Sequence, residues 1–231
     1  MIFEQLFDQK SSTYTYIIAS GEGREALIID PVIEHSDDYS TILNNLDLKL
    51  VKVIDTHIHA DHISALNELN KRTNCIRVMG EKSKSEVIDL RIKDGEKIKV
   101  EEVELQAIYT PGHTDCSYSF LMNDRVFTGD TLLINGSGRT DFQNGNAYDA
   151  YDSIFNKLLK LPEKTFVFPA HDYNGKKFST IENEKNNNPR LQVSSKEEYA
   201  DIMNNLNLAN PKMMDVAVPA NVKGLTLDTI N

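Results

Sequence analysis

Apolar positions cluster at Tyr14–Ala19 and Ala26–Ile29 on either side of Gly21-Glu22-Gly23, a pattern that predicts a β-hairpin closed by Asp30-Pro31. The period then changes. Tyr39, Ile42, Leu43 and Leu46 recur at helical spacing and predict a helix over Ser36–Leu48, with Ser36 as its N-cap and Asp37 and Asp38 at the positive end of its dipole. Leu50–Ile54 is a buried strand, Ile63–Asn70 a helix starting immediately after His62, and Ile76–Met79 a short strand. Alternating and β-branched positions fill Ile98–Tyr109, and Tyr118–Met122 pairs with Arg125–Phe127 about an Asn123-Asp124 turn. Tyr151, Ile154, Phe155 and Leu158 form one stripe of a helix over Tyr151–Leu161 that Pro162 stops, and Thr165–Phe168 is a further strand. After it the chain turns polar and Asn-rich at Glu182–Asn188. Ser195 and Glu198 then form a capping box for a helix carrying Tyr199, Ile202, Met203 and Leu206 on one face, which must pack on the main body. Hairpins mixed with strand–helix units imply a layered α/β or α+β fold, with no internal repeat.

The length of 231 residues allows one large domain or two small ones, and 40% hydrophobic with 26% charged residues is ordinary for a globular enzyme. A net charge of −10 argues against nucleic acid or an anionic membrane as the main partner. Cys75 and Cys116 are too few for a disulfide framework and lie in no Cys-x-x-Cys pair, so each is expected to be a small buried apolar residue. No apolar run approaches the roughly 18 residues of a membrane span. The first residues carry neither a secretory signal nor an Arg-rich leader, so a cytoplasmic location, or the mitochondrial matrix after processing, is expected.

Charge gains meaning where it is concentrated. His57, His59, Asp61 and His62 fall within six residues directly after a buried strand, and period-2 geometry puts His57 and His59 on one side of an extended backbone. His113 follows Thr110-Pro111-Gly112, Asp130 follows Thr128-Gly129, and His171 follows Pro169-Ala170. Five of the six histidines therefore stand in loops at strand ends, and only His35 lies outside. A lone histidine in a loop is more often structural than a ligand. Five in the same kind of position, with two carboxylates, point to a metal site for zinc, iron, manganese or nickel.

His57-x-His59-x-Asp61-His62, then His113, Asp130 and His171, resembles the metallo-β-lactamase superfamily. The resemblance implies an αββα four-layer sandwich, with residues 1–231 forming a single domain and about 172–231 a short C-terminal helical extension packed on it. The constellation alone allows a dinuclear hydrolase, with one metal on His57, His59 and His113, another on Asp61, His62 and His171, and Asp130 bridging them. Other stretches resemble one branch, the persulfide dioxygenases: Gly129-Asp130-Thr131-Leu132-Leu133, Gly138-Arg139-Thr140-Asp141-Phe142-Gln143, Pro169-Ala170-His171-Asp172-Tyr173, Asn188-Pro189-Arg190-Leu191, Met203–Leu208 and Val218-Pro219-Ala220-Asn221. Glyoxalase II, the thioesterase relative, has a Phe-Glu-Gly type sequence after its Gly-Arg and a larger terminal helical domain. Here Thr140-Asp141-Phe142-Gln143 stands in that place, and only 60 residues follow His171.

That resemblance implies one iron(II) per chain on His57, His113 and Asp130, with His59, Asp61, His62 and His171 behind them orienting ligands and bound water. It implies glutathione persulfide and O2 as substrates, Tyr173 and Arg190 near the substrate, a supporting Arg139–Asp141 salt bridge, and a homodimer. Ser137 stands where some relatives have cysteine, so no thiol chemistry is assigned there, and Lys176-Lys177 is read as a solvated charge pair. No rhodanese-like domain follows, so a sulfurtransferase partner is expected to be a separate protein. The competing readings are a zinc-dependent glyoxalase II-type hydrolase and a non-catalytic metal-binding or redox-sensing module. The intact ligand set weighs against the last.

Overall fold

The computed structural model describes residues 1–209, 211 and 213–230. Its first sheet grows from the predicted hairpin. β2 (Thr13–Ala19) and β3 (Glu25–Ile29) pair antiparallel, and β1 (Ile2–Asp8), which the sequence pattern did not reveal, covers the outer side of β2. β4 (Lys49–Ile54), β5 (Ile76–Gly80) and β6 (Leu90–Ile92) extend the sheet in parallel. The predicted stretch Ile98–Tyr109 is two strands, β7 (Lys97–Val100) and β8 (Val103–Tyr109), turning through Glu101 at φ +49°. With β9 (Tyr118–Met122) and β10 (Arg125–Gly129) they begin the second sheet. A small hairpin, β11 (Leu132–Leu133) and β12 (Gly136–Ser137), interrupts the chain before β13 (Phe166–Pro169) and β14 (Ser179–Thr180) complete that sheet.

Side-chain alternation explains the layering. Tyr16, Ile18, Leu27, Ile29 and Ile54 project from the first sheet onto Leu105, Phe120, Phe127 and Phe168 of the second. The opposite face of the first sheet, with Ile17, Ile28 and Val53, is covered by Tyr39 and Leu43 of α1 (Ser36–Asn45), Leu66 and Leu69 of α2 (Leu66–Thr73), and Ala217 and Ala220 of α6 (Met214–Lys223). Val126 and Val167 on the far face of the second sheet meet Ile154, Ile181 and Tyr199. These come from a helical run beginning as α3 (Ala147–Tyr151), from α4 (Ile181–Asn187) and from α5 (Lys196–Asn204). The result is helix, sheet, sheet, helix, and each fully buried aliphatic or aromatic side chain contributes about 1.5–3 kcal/mol of transfer free energy. A last turn, α7 (Leu227–Ile230), closes the described chain.

Several boundaries differ from the sequence pattern for identifiable reasons. Ser36 does not cap α1, because a 3-10 turn at Ile33–His35 precedes the helix and the Ser36 hydroxyl donates back to Ile33 O at 2.7 Å. Nor does a helix follow His62 at once: α2 starts only at Leu66, and residues 55–65 form an irregular loop. The Tyr151–Leu161 helix is α-helical only up to Tyr151, then widens to a π-helix over Asp152–Lys157 and tightens to a 3-10 turn. The Asn-rich stretch after Glu182 is helical, since Thr180 caps α4 by accepting from Asn183 N. Ser195 caps α5 as expected, but the Glu198 carboxylate accepts from Ser194 rather than from Ser195 N. Both cysteines are buried and unpaired, and burial pushes both thiols up.

Candidate metal centre

Four strand ends deliver the chemistry to one edge of the sandwich. β4 runs into the loop bearing His57, His59, Asp61 and His62, and the β8–β9 connection carries His113. β10 and β13 are parallel, with Gly129 opposite Pro169, so Asp130 and His171 emerge side by side. Gly129 makes this convergence possible. It sits at φ +53°, and a Cβ there would lie 2.7 Å from Thr56 Oγ1, so any larger residue would push β10 away from the end of β4.

The free donor atoms of His57, His113 and Asp130 lie within 4.8 Å of one another. Each of the three is tied to protein through its other polar atom. His57 Nδ1 lies 2.9 Å from Thr56 Oγ1, whose proton goes to Asp30 Oδ2 at 3.0 Å, so the imidazole donates from Nδ1 and keeps its lone pair on Nε2. His113 Nδ1 donates to Arg139 O at 2.7 Å. Asp130 Oδ1 accepts from His171 Nδ1 at 2.6 Å, while its Oδ2 stands 3.5 Å from His113 Nε2. Burial, aided by the neighbouring His59, pushes the His57 ring well below its ordinary pKa, so it is neutral and able to ligate.

Behind this trio, His59, Asp61 and His62 form a second group and Asp30, Asp55 and His59 a third, each with ligand-type atoms within 4.8 Å. His171 bridges two carboxylates, with Nε2 2.9 Å from Asp61 Oδ2. Burial disfavours its charge, but Asp130 and Asp61 outweigh burial and hold its pKa well above the ordinary value. His171 thus reaches one carboxylate through each ring nitrogen. Thr13 Oγ1, at 3.0 Å from His171 Nε2 and 3.1 Å from Asp61 Oδ2, closes this cluster. Burial likewise opposes charge on His59, yet Asp30 raises it to about 9. Among the described residues, His59 Nδ1 and His62 Nε2 are buried without a hydrogen-bond partner.

The structure therefore brings together His57, His59, Asp61, His62, His113, Asp130 and His171. The Arg139 guanidinium forks onto Asp141 with two 2.7 Å bonds, stacks on Phe142, and donates to Ala209 O. Its own carbonyl holds His113, so this ion pair fixes the residue that His113 leans on. Tyr173 is exposed, its ring parallel to His171 with centroids 6.2 Å apart. Arg190 is half-buried and donates to Ser137 O, with no carboxylate partner among the described residues. Sequence reasoning missed Thr13, Asp30, Asp55 and Thr56. Asp30 looked only like a strand-closing Asp-Pro, although its φ of +50° and full burial beneath Thr56 and His59 mark a tertiary role.

Comparison with known proteins gives this arrangement a lineage. The family model of the metallo-beta-lactamase superfamily matches residues 9–89 and 80–171. The Mus musculus protein "Persulfide dioxygenase ETHE1, mitochondrial" is 42% identical over 96% of this chain and 88% of its own length. The crystal structure of ETHE1 from Myxococcus xanthus superposes with a TM-score of 0.94 at 49% identity, covering 96% of this chain and 98% of that one. The chain belongs to the persulfide dioxygenase family of the metallo-β-lactamase superfamily. Its likeness to the thioesterase branch is weaker: the hydroxyacylglutathione hydrolase of Dictyostelium discoideum is 29% identical over 75% of this chain and 68% of its own. Within the persulfide dioxygenase family, the stretch Thr140-Asp141-Phe142-Gln143 has a structural use here. Asp141 holds Arg139, and Gln143 Nε2 donates to Ile58 O at 2.7 Å, between His57 and His59.

Proposed function

We propose that this persulfide dioxygenase carries one iron(II) per chain on His57, His113 and Asp130. In this reading it oxidises glutathione persulfide with O2 and water to sulfite and glutathione. The supporting observation is the trio itself, in which each member offers one free donor atom and has the other fixed by protein. The donor set fits the ion: two imidazoles and a carboxylate are the ligands of non-haem iron(II) oxygenases, and an iron(II) held there would supply the redox chemistry that joins persulfide sulfur and dioxygen. The chain's own residues set up that chemistry. Thr56 and Arg139 O fix the imidazole tautomers, and His171 keeps its Nδ1 proton on Asp130 Oδ1 so that Oδ2 alone faces the centre. The Arg190 guanidinium is the candidate for a glutathione carboxylate, whose planar geometry its fork matches, and Tyr173, near enough to act on its charge, is the second candidate substrate contact. Two buried, unpaired cysteines suit a reducing compartment, the cytoplasm or mitochondrial matrix. No helix among the described residues is long and apolar enough to cross a membrane.

A second reading, a dinuclear zinc thioesterase, draws on the unpartnered His59 Nδ1 and His62 Nε2, which a second metal could use. His171 weighs against it, being held between Asp61 and Asp130. Metal analysis of anaerobically purified protein, followed by O2 consumption with glutathione persulfide, separates the two. One iron with persulfide-dependent O2 uptake supports the dioxygenase. Two zincs with hydrolysis of S-lactoylglutathione and no O2 uptake overturns it.

A further inference from the structure

The histidine loop has no strand or helix to bond its carbonyls, so they must find donors elsewhere. Gln143 Nε2 takes Ile58 O at 2.7 Å, and Ile33 N takes Ile63 O at 2.9 Å. Two of the four carbonyls between these converge on one side chain: Asn221 Nδ2 donates to His59 O at 2.9 Å and to His62 O at 3.0 Å. Asn221 Oδ1 accepts from Ser64 N at 2.8 Å. Two acceptors on one side and a donor on the other fit a side-chain amide in one orientation only. One planar group therefore spans the loop from His59 to Ser64. The hold continues on the far side, where Ser64 Oγ donates to the buried Asp55 at 2.9 Å.

The mount of this amide is independent of the bonds it makes. α6 is seated by Ala217 and Ala220 against the first sheet, and its end is fixed by Glu86 N donating to Val222 O at 2.8 Å and by Gly224, where a Cβ would lie 2.4 Å from Val87. Among the described residues, α6 contributes no ligand-type side chain to the three metal-capable groups. Val218 and Val222 pack against the cluster that holds Ile58, and Asn221 is the helix's hydrogen-bonded link to the histidine loop.

We propose that Asn221 is a positioning residue for the metal centre. Its amide sets the path of loop His59–Ser64, and through it the approach of His57 and of the Asp61–His171–Asp130 chain. The proposal rests on the ligand set of the preceding subsection. Asparagine suits the task because aspartate, of the same shape, would keep the Ser64 bond but set an anionic oxygen against two carbonyls.

The test is anaerobic titration of the full-length apoprotein with Fe(II) and, separately, with Zn(II), alongside thermal unfolding with and without metal. Asn221→Ala and Asn221→Asp should each bind metal about 10-fold or more weakly, as expected when groups that orient ligands are lost. The rise in Tm on metal addition should shrink in step. Ala217→Gly, which loosens the seat of α6 and leaves the amide in place, should lower the apoprotein Tm while keeping the metal-induced rise. Folded Asn221→Asp with wild-type metal affinity would overturn the proposal. So would an Ala217→Gly variant that lost affinity equally, since docking of the helix would then be the cause. If His57→Ala and His113→Ala bind metal like wild type, the ligand set itself is wrong, an outcome distinct from either of these.

Discussion

Thr56→Val is the sharpest probe of the centre, because it changes one hydroxyl to a methyl at constant shape. Thr56 is buried, and its Oγ1 serves two charged or ligand-type groups, donating to Asp30 Oδ2 at 3.0 Å and accepting from His57 Nδ1 at 2.9 Å. Valine leaves a carboxylate oxygen short of one partner and a buried imidazole N–H with none. At about 1–3 kcal/mol for each buried polar group left unsatisfied, the variant should lose roughly 2–6 kcal/mol of stability. For a chain of this size each kcal/mol moves Tm by about 2–4 °C, so the apoprotein should melt roughly 4–24 °C lower. The functional effect is separate: with Nδ1 unpinned, the His57 ring can rotate or change tautomer, and metal affinity should fall about 10–100-fold. Thr56→Ser restores the hydroxyl and should recover most of the metal affinity, though not all of the stability. The assays are thermal unfolding of the apoprotein, metal per chain after dialysis, and persulfide-dependent O2 uptake. A well-folded Thr56→Val enzyme with wild-type metal content and turnover would refute the claim that this hydroxyl fixes His57.

Other outcomes follow from the same geometry. His113→Ala should lose both metal and O2 uptake, whereas His171→Ala should retain metal, as metal analysis of the two variants will show; loss of metal from the second would break the mononuclear assignment. Gly138→Ala should abolish metal binding in an otherwise folded protein, because the added Cβ would stand 2.0 Å from Asp130 O and 2.9 Å from His113 Nδ1. Away from the site, burial and then the Asp38 and Asp8 carboxylates act on His35 in opposite directions, with the carboxylates prevailing and its pKa raised. Asp8 is held at about 2 because Ser11 and His35 outweigh burial. The His35 contribution is therefore complete below its unfolded pKa and fades as pH rises through the raised value. The Asp8 contribution is complete above its unfolded pKa of about 3.9 and fades as pH falls toward 2. Urea midpoints of wild type and His35→Ala should differ most near pH 5 and converge by pH 9; a constant gap would deny the pair its electrostatic role.

What could be read from the sequence divides along physical lines. The metal-capable cluster was legible because histidine and aspartate in strand-end loops have little other reason to recur. The strands were legible where both faces are buried, as in Tyr14–Ala19. Ile2–Asp8 was not, since an edge strand with both faces half-covered shows no clean alternation. Helix α2 was displaced because the residues after His62 pair across the site, Ile63 O with Ile33 N and Ser64 N with Asn221, before helical geometry can begin. Asp30 and Asn221 stayed hidden for a related reason. Each acts on the histidine loop from a remote segment, and nothing in the local sequence of Asp30-Pro31 or Val218–Asn221 specifies what will be packed against it.

The placement of the centre also fixes the order in which the protein can be made. Its proposed ligands come from residues 57 to 130, and the groups that aim them from Thr13 to Asn221, across both sheets. A zinc finger gathers its ion early and folds around it. Here the cradle exists only once nearly the whole polypeptide has been synthesised and both sheets have closed. In the proposed reading the ion therefore enters a cradle that the closed sandwich provides, rather than gathering the chain around itself.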